Sequence, residues 1–156
     1  MSGMVDLAID REIVIDAPAD VVWRTITEPE QIEQWFADHV ELDVRPGGAG
    51  TFVFDNRGGD RVVTVPVVVE AVDPPHRLAF RWSHPEGRSP VAGNSMLVEF
   101  LLTVEGAERT RLRVVETGIE EVQWPDDEKA RYAEDHRRGW SVHMGRLADR
   151  LGGARA

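Results

Sequence analysis

The chain has 156 residues, no cysteine and 18 basic against 28 acidic residues, a formal charge of −10. That length suits one domain whose core needs no staples, and the missing cysteines exclude disulfides and thiolate metal sites. The negative charge is spread along the chain and repels phosphate backbones and anionic lipid, so no nucleic-acid partner is expected.

The first six residues lack a basic region followed by an apolar core, so no signal peptide is read. The most apolar run, 62–69, is interrupted by Thr64 and Pro66 and falls far short of the roughly 20 residues that span a bilayer. A cytoplasmic protein without membrane insertion is the expectation.

Residues 9–16 roughly alternate, with Ile9, Ile13 and Ile15 on one face and Asp10, Glu12 and Asp16 on the other, as in a half-buried strand. Pro18 suits the first turn of a helix that Asp16 can cap, and Val22, Trp23 and Ile26 give that helix an apolar side. Pro29 opens a second helical segment over 30–36 that buries Ile32, Trp35 and Phe36. Two short helices so placed make a lid or a hinge.

From Val40 the period becomes two. Val40, Leu42 and Val44 precede a turn at 46–50, and Phe52 and Phe54 share a face of the strand 51–55. A second turn follows at 56–59. The run 62–72 is mostly β-branched, with Pro66 marking a bulge or an edge. After Asp73-Pro74-Pro75, the residues Leu78, Phe80 and Trp82 share a face, and a polar loop over 83–94 leads to Met96, Val98, Phe100 and Leu102 in alternation. Leu112 and Val114 face one way on the last long strand, 110–117, with Arg111 and Arg113 on the other side. The helical period returns over 127–151, where Tyr132, Trp140, Met144, Leu147 and Leu151 form an apolar stripe. His136 and His143 fall inside or at the edge of that stripe, so both imidazoles point toward whatever the helix covers.

This order predicts an α+β fold: a curved antiparallel sheet of about six or seven strands, two short helices after the first strand, and the long C-terminal helix lying in its concave face. One domain over 1–156, with its core at about 9–151, accommodates all of it.

Several motifs, in this order, resemble the SRPBCC superfamily, whose helix-grip fold is shared with START lipid-transfer and birch-pollen-allergen-like proteins. They are Ile15-Asp16-Ala17-Pro18 with Val22-Trp23, Pro29 with Trp35-Phe36, and Pro46-Gly47-Gly48 with Phe52. Val72-Asp73-Pro74-Pro75 with Leu78, Phe80 and Trp82, then Val115-Glu116-Thr117-Gly118, and Gly139-Trp140 with Leu147 complete the set. The resemblance is greatest to the branch named after the activator of heat shock protein 90 ATPase. It implies the helix-grip fold and leaves activity open, because ligand carriers, aromatic-polyketide cyclases, hydroxylase subunits and co-chaperones share it. Members of the branch often carry a His before the Ser/Thr-Gly that ends the last strand; this chain has Glu116 there.

No nucleophile elbow, metalloprotease helix or phosphate loop is present. His39, His76 and His84 lie in or beside polar or Pro-rich segments and read as solvated. His136 and His143 are separated by a rise of about 10 Å along a helix, too far to chelate one metal as an i, i+4 pair would. No metal and no cofactor is expected. The expected ligand site lies between sheet and helix, lined by Trp35, Phe36, Phe52, Phe54, Phe80, Trp82, Met96, Val98, Phe100, Val114, Tyr132, His136, Trp140, His143 and Met144, for a small hydrophobic or aromatic molecule. The alternative is a cyclase- or hydrolase-like enzyme on such a molecule, with Glu116 as a base if desolvation raises its pKa and His143 as an acid. A chaperone-interacting module is a third reading, and a homodimer is compatible with all three.

Overall fold

Strand β1 (Ile9–Ile15) leads into helices α1 (Ala19–Thr27) and α2 (Pro29–Ile32), then β2 (His39–Leu42), β3 (Ala49–Asp55), β4 (Val62–Asp73), β5 (Arg77–Trp82), β6 (Met96–Gly106) and β7 (Arg109–Thr117). A short 3-10 turn (Ile119–Glu121) precedes the long helix α3 (Asp126–Arg150), and β8 (Ala154–Arg155) follows it. The computed structural model describes residues 7–55, 62–82, 90–91, 93–152 and 154–155; the expected turn at 56–59 and His84 lie outside the described residues.

The strands form one antiparallel sheet in the order β2-β3-β4-β5-β6-β7-β1-β8. The eighth strand exceeds the expected count because it is a two-residue edge, Ala154 and Arg155 pairing with Ile15 and Val14, too short to carry a period of two. Register lines up the inner residues in rows: Leu78 faces Phe100, which faces Val114, and Phe80 faces Val98, which faces Glu116. Helix α3 lays Trp140, Met144 and Leu147 against this inner face, each no more than 2% exposed. The outer face carries charge in pairs, Arg113 with Asp10, Arg111 with Glu12 and Glu105, Arg77 with Glu99 and Arg81 with Glu70.

Helix α2 ends four residues before the expected limit of 36. Beyond Ile32 the chain continues in tight turns, Trp35 and Phe36 both donating their amides to the Ile32 carbonyl, and this turn swings both rings inward. The first helix has Pro18, not Asp16, at its N-cap, and Asp16 lies 3.6 Å from Arg109. The two helices are closed down on the core: Val22, Ile26 and Ile32 are buried, and the Trp35 indole donates to the Thr25 carbonyl at 2.9 Å. Pro66 pairs with Thr51 of β3, in the half of β4 that among the described residues has no β5 partner, as an edge position requires. The bulge falls instead between Val69 and Ala71. Gly118 ends β7 at φ 98°, where an added Cβ would also sit 3.1 Å from the Ser95 carbonyl, so glycine alone fits without strain.

Candidate functional site

Alternation on β7 places Thr110, Leu112, Val114 and Glu116 on the inner face, and the last of these is a carboxylate with no exposed surface. A buried charge must be paired or hydrogen-bonded on every side. Strand β5 supplies one donor, the Trp82 indole, at 2.9 Å from Oε2. Helix α3 supplies three from one stripe spaced by four residues. The Tyr132 hydroxyl donates to Oε2, His136 donates through Nδ1 to Oε1 at 3.0 Å, and the Trp140 indole donates to Oε1 at 2.8 Å. Two indoles, a phenol and an imidazole thus hold a single carboxylate and tie the helix to the sheet.

Burial alone would push the Glu116 carboxyl up, but the bond and charge of His136, with the bonds from Tyr132 and Trp140, outweigh it and hold the group below its ordinary value. The condition under which Glu116 would serve as a general base in the alternative reading, a pKa raised by desolvation, is not met. Its pKa is shifted the opposite way, and its lone pairs are already taken by donors.

Above this network lies a cleft of about 410 Å³, lined by Phe36, Phe54, Val63, Val65, Trp82, Asp135, His136, Gly139, Trp140 and His143. Phe36 forms its wall, stacked on Trp140 at a centroid distance of 5.3 Å and 5° between planes, with its edge contact to His143 at 4.8 Å. His136 stacks on Tyr132 at 3.7 Å, and its side chain remains 26% exposed. The rim is apolar on the sheet side, where Val63 is 48% exposed beside Phe54.

Of the residues expected to line a ligand site, Phe36, Phe54, Trp82, His136, Trp140 and His143 meet at this cleft. Trp35, Phe52, Phe80 and Phe100 do not. They enclose, with Phe36 and neighbouring aliphatic side chains, an interior space of about 10 Å³, room for about one water molecule at most and none for an aromatic ligand. The expected gap along the whole helix is therefore filled by side chains, and the opening lies at one end of the grip. Met96, Val98, Val114 and Met144 are core, and Tyr132 faces Glu116. Four lining residues were not anticipated. Val63 and Val65 lie on the inner face of β4 as the register partners of Phe54 and Phe52, a periodicity hidden by valines at nearly every position. Asp135 stands at the rim, 3.2 Å from Arg138. Gly139 lines the cleft because it has no side chain, and a glycine inside a helix, costing about 1 kcal/mol relative to alanine, is a signal that sequence reading can use.

Among the described residues no group of three or more His, Asp or Glu side chains is placed to hold a metal ion, and no helix is long and apolar enough to cross a membrane. His39 and His76 lie outside the cleft lining.

Burial, the largest influence, holds the His143 imidazole below its ordinary 6.5 despite its bond to the Trp35 carbonyl, with Arg146 and His136 adding to the depression. The unfolded chain therefore takes up this proton at a higher pH than the folded one. Stability should be fully present above 6.5 and should decline as pH falls below it through the lower folded value. Urea titrations of the wild type and of His143→Phe across this window test it: the wild type should lose stability on acidification more steeply than the variant, and parallel curves would remove His143 as the cause.

Residues 16–152 match the profile of a family described as activator of Hsp90 ATPase homolog 1-like protein. No curated protein matches the chain. Among solved structures, DynU16, a protein of the dynemicin biosynthetic locus, is similar at 31% identity over 94% of this chain, with a TM-score of 0.70; this chain spans 48% of that one. CalU16 from Micromonospora echinospora is similar at 25% identity over 96% of this chain and 76% of its own, with a TM-score of 0.65. The Aha1 dimer from Colwellia psychrerythraea shares the fold at 18% identity, covering 95% of this chain and 96% of its own, with a TM-score of 0.70. With the helix grip described above, the profile match establishes that the chain belongs to the activator of Hsp90 ATPase homologue 1-like branch of the SRPBCC superfamily.

Proposed function

We propose that this chain is a binding domain for a small, mostly apolar or aromatic molecule, held in the cleft at the open end of the grip. The observation that carries the reading is the cleft itself. Its walls are Phe36, Phe54, Val63, Val65, Trp82 and Trp140, and its few polar groups include two imidazoles, the composition expected of a small-molecule site. The likeness to DynU16, from a biosynthetic locus, supports a role beside small-molecule chemistry. Binding is favoured over turnover because the carboxylate a base mechanism would use is engaged by four donors. A chaperone-facing role is disfavoured by the outer face of the sheet, where paired charges take the place of an apolar patch. The acidic chain disfavours nucleic acid, the lack of cysteine suits a reducing compartment such as the cytoplasm, and a homodimer on the pattern of the Colwellia relative is compatible with an open cleft.

Gly139 gives a direct test. A Cβ built there meets nothing within 4 Å, so a larger side chain would enter the cleft without displacing the core. Gly139→Leu should leave folding intact, or stabilise it by about 0.5 to 1 kcal/mol through helix propensity. Binding of naphthalene and similar aromatic probes, followed by the indole N–H resonances of Trp82 and Trp140, should weaken by about tenfold or more, the effect of losing one good apolar contact surface. Wild-type affinity in the variant would sink the assignment of the cleft.

A further inference from the structure

The polar groups of the cleft are unusual in which hydrogen-bonding role they leave open. His136 spends Nδ1 on Glu116 Oε1 at 3.0 Å, and an ionised carboxylate can only accept, so Nδ1 carries the proton. His143 spends Nδ1 on the Trp35 carbonyl at 3.4 Å, and a carbonyl likewise only accepts. In a neutral imidazole the second nitrogen is then an acceptor. Both rings line the cleft, and among the described residues no hydrogen bond engages Nε2 of either. The His143 tautomer is thus fixed by the Trp35 carbonyl, and with burial holding its pKa below 6.5 the ring is neutral near pH 7 and presents its Nε2 lone pair to whatever occupies the cleft.

We infer that the cleft selects its ligand by a hydrogen-bond donor, the O–H of a phenol or alcohol on an otherwise apolar aromatic or alicyclic body, and discriminates against carboxylates. This rests on the cleft being a ligand site, as proposed above. A phenolic O–H is the stronger donor of the two and matches the acceptor nitrogen of His143, whose Nδ1–H is spent on the Trp35 carbonyl. A carboxylate ligand meets the acceptor nitrogen of His143, with the Glu116 carboxylate immediately behind His136 and Asp135 at the rim. The arginines nearby do not reverse this. Arg138 pairs with Asp135 at 3.2 Å, Arg137 lies 3.2 Å from Glu134, and Arg146 lines a neighbouring polar hollow with Glu33, Asp38 and Asp55. Fatty acids and aryl acids, common occupants of apolar pockets, are therefore the wrong chemistry for this one.

Three probes of one shape separate the possibilities on the unmodified protein: naphthalene, 2-naphthol and 2-naphthoate, titrated near neutral pH against the indole N–H resonances of Trp82 and Trp140. The naphthol should bind about tenfold tighter than naphthalene, the effect of one hydrogen bond, and the naphthoate more weakly than either. Imidazole ¹⁵N spectra give a second readout: His143 should show a protonated Nδ1 and an unprotonated Nε2, with naphthol and not naphthalene shifting its Nε2 line. His143→Phe should narrow the gap between naphthol and naphthalene while leaving naphthalene affinity within about threefold, the scale of an apolar exchange of similar size. Equal affinity of naphthol and naphthalene, tightest binding of the naphthoate, or a proton on His143 Nε2 in the free protein at neutral pH would overturn the donor selectivity while leaving the cleft a ligand site. Failure of all three probes to saturate would overturn the ligand site and this inference with it.

Discussion

Glu116→Gln should cost about 3 to 5 kcal/mol of folding stability, the range for breaking a buried, fully partnered charge. The amide keeps the volume of the carboxylate, so the loss reports hydrogen bonding and not a cavity. It can accept at one oxygen where the wild type accepts at two, and its nitrogen turns two further hydrogens toward donors already in place. His136 and Tyr132 are partly exposed and can turn to water, but Trp82 and Trp140, at 5% and 2% exposure, cannot. At least one indole N–H is left unsatisfied in the core, at about 1 to 3 kcal/mol each. For a domain whose total stability is on the order of 5 to 15 kcal/mol, that is a large fraction. The carboxylate also sets an acid limit. Its folded pKa lies below the ordinary 4.5, so its stabilisation is present above that value and is lost as pH falls through the folded one. Urea unfolding of wild type and variant at neutral and acid pH measures both effects; a loss under about 1 kcal/mol at neutral pH would mean that the four donors do not converge on this group.

The fold was legible because its signals are periodic. Alternation at Leu78, Phe80 and Trp82 and at Met96, Val98, Phe100 and Leu102 needs no knowledge of neighbours, and the return to a helical period near Asp126 marks the helix that closes the grip. The site was legible in part. The inward position of Glu116 follows from Leu112 and Val114 on the same strand, yet its donors come from two distant elements, 34 and 16 to 24 residues away, and sequence spacing does not reveal convergence of that kind. From sequence the carboxylate is a candidate base only on the condition that desolvation raises its pKa, and its partners lower it instead. The filled interior was hidden for a related reason. Eight aromatic rings on inward faces are compatible with a wide cavity or with a packed core, and what decides is the turn after Ile32, which drops Trp35 and Phe36 among Phe52, Phe100 and Trp140. Periodicity cannot anticipate a side chain delivered by an irregular turn.

Trp140→Ala should be the most costly truncation in the helix, because the residue fills two roles at once. Its ring packs on Phe36, Trp82 and Phe100 at centroid distances of 5.3, 5.7 and 5.7 Å, so removing it opens a cavity worth about 3 to 5 kcal/mol. Its Nε1–H also meets the ionised Glu116, and losing a bond to a charged group adds about 1.5 to 3 kcal/mol. Trp140→Phe separates the two contributions: most of the ring packing survives, the bond does not, and the expected cost is about 2 to 3 kcal/mol. The decisive measurement is the cycle that combines Trp140→Phe with Glu116→Gln. If the indole stabilises the fold through the carboxylate, the phenylalanine exchange should cost at least about 1 kcal/mol less once Glu116 is an amide. An additive double mutant would show that Trp140 acts by packing alone. The helix would then be held to the sheet by apolar contact, and the buried carboxylate would have to draw its stabilisation from Trp82, Tyr132 and His136.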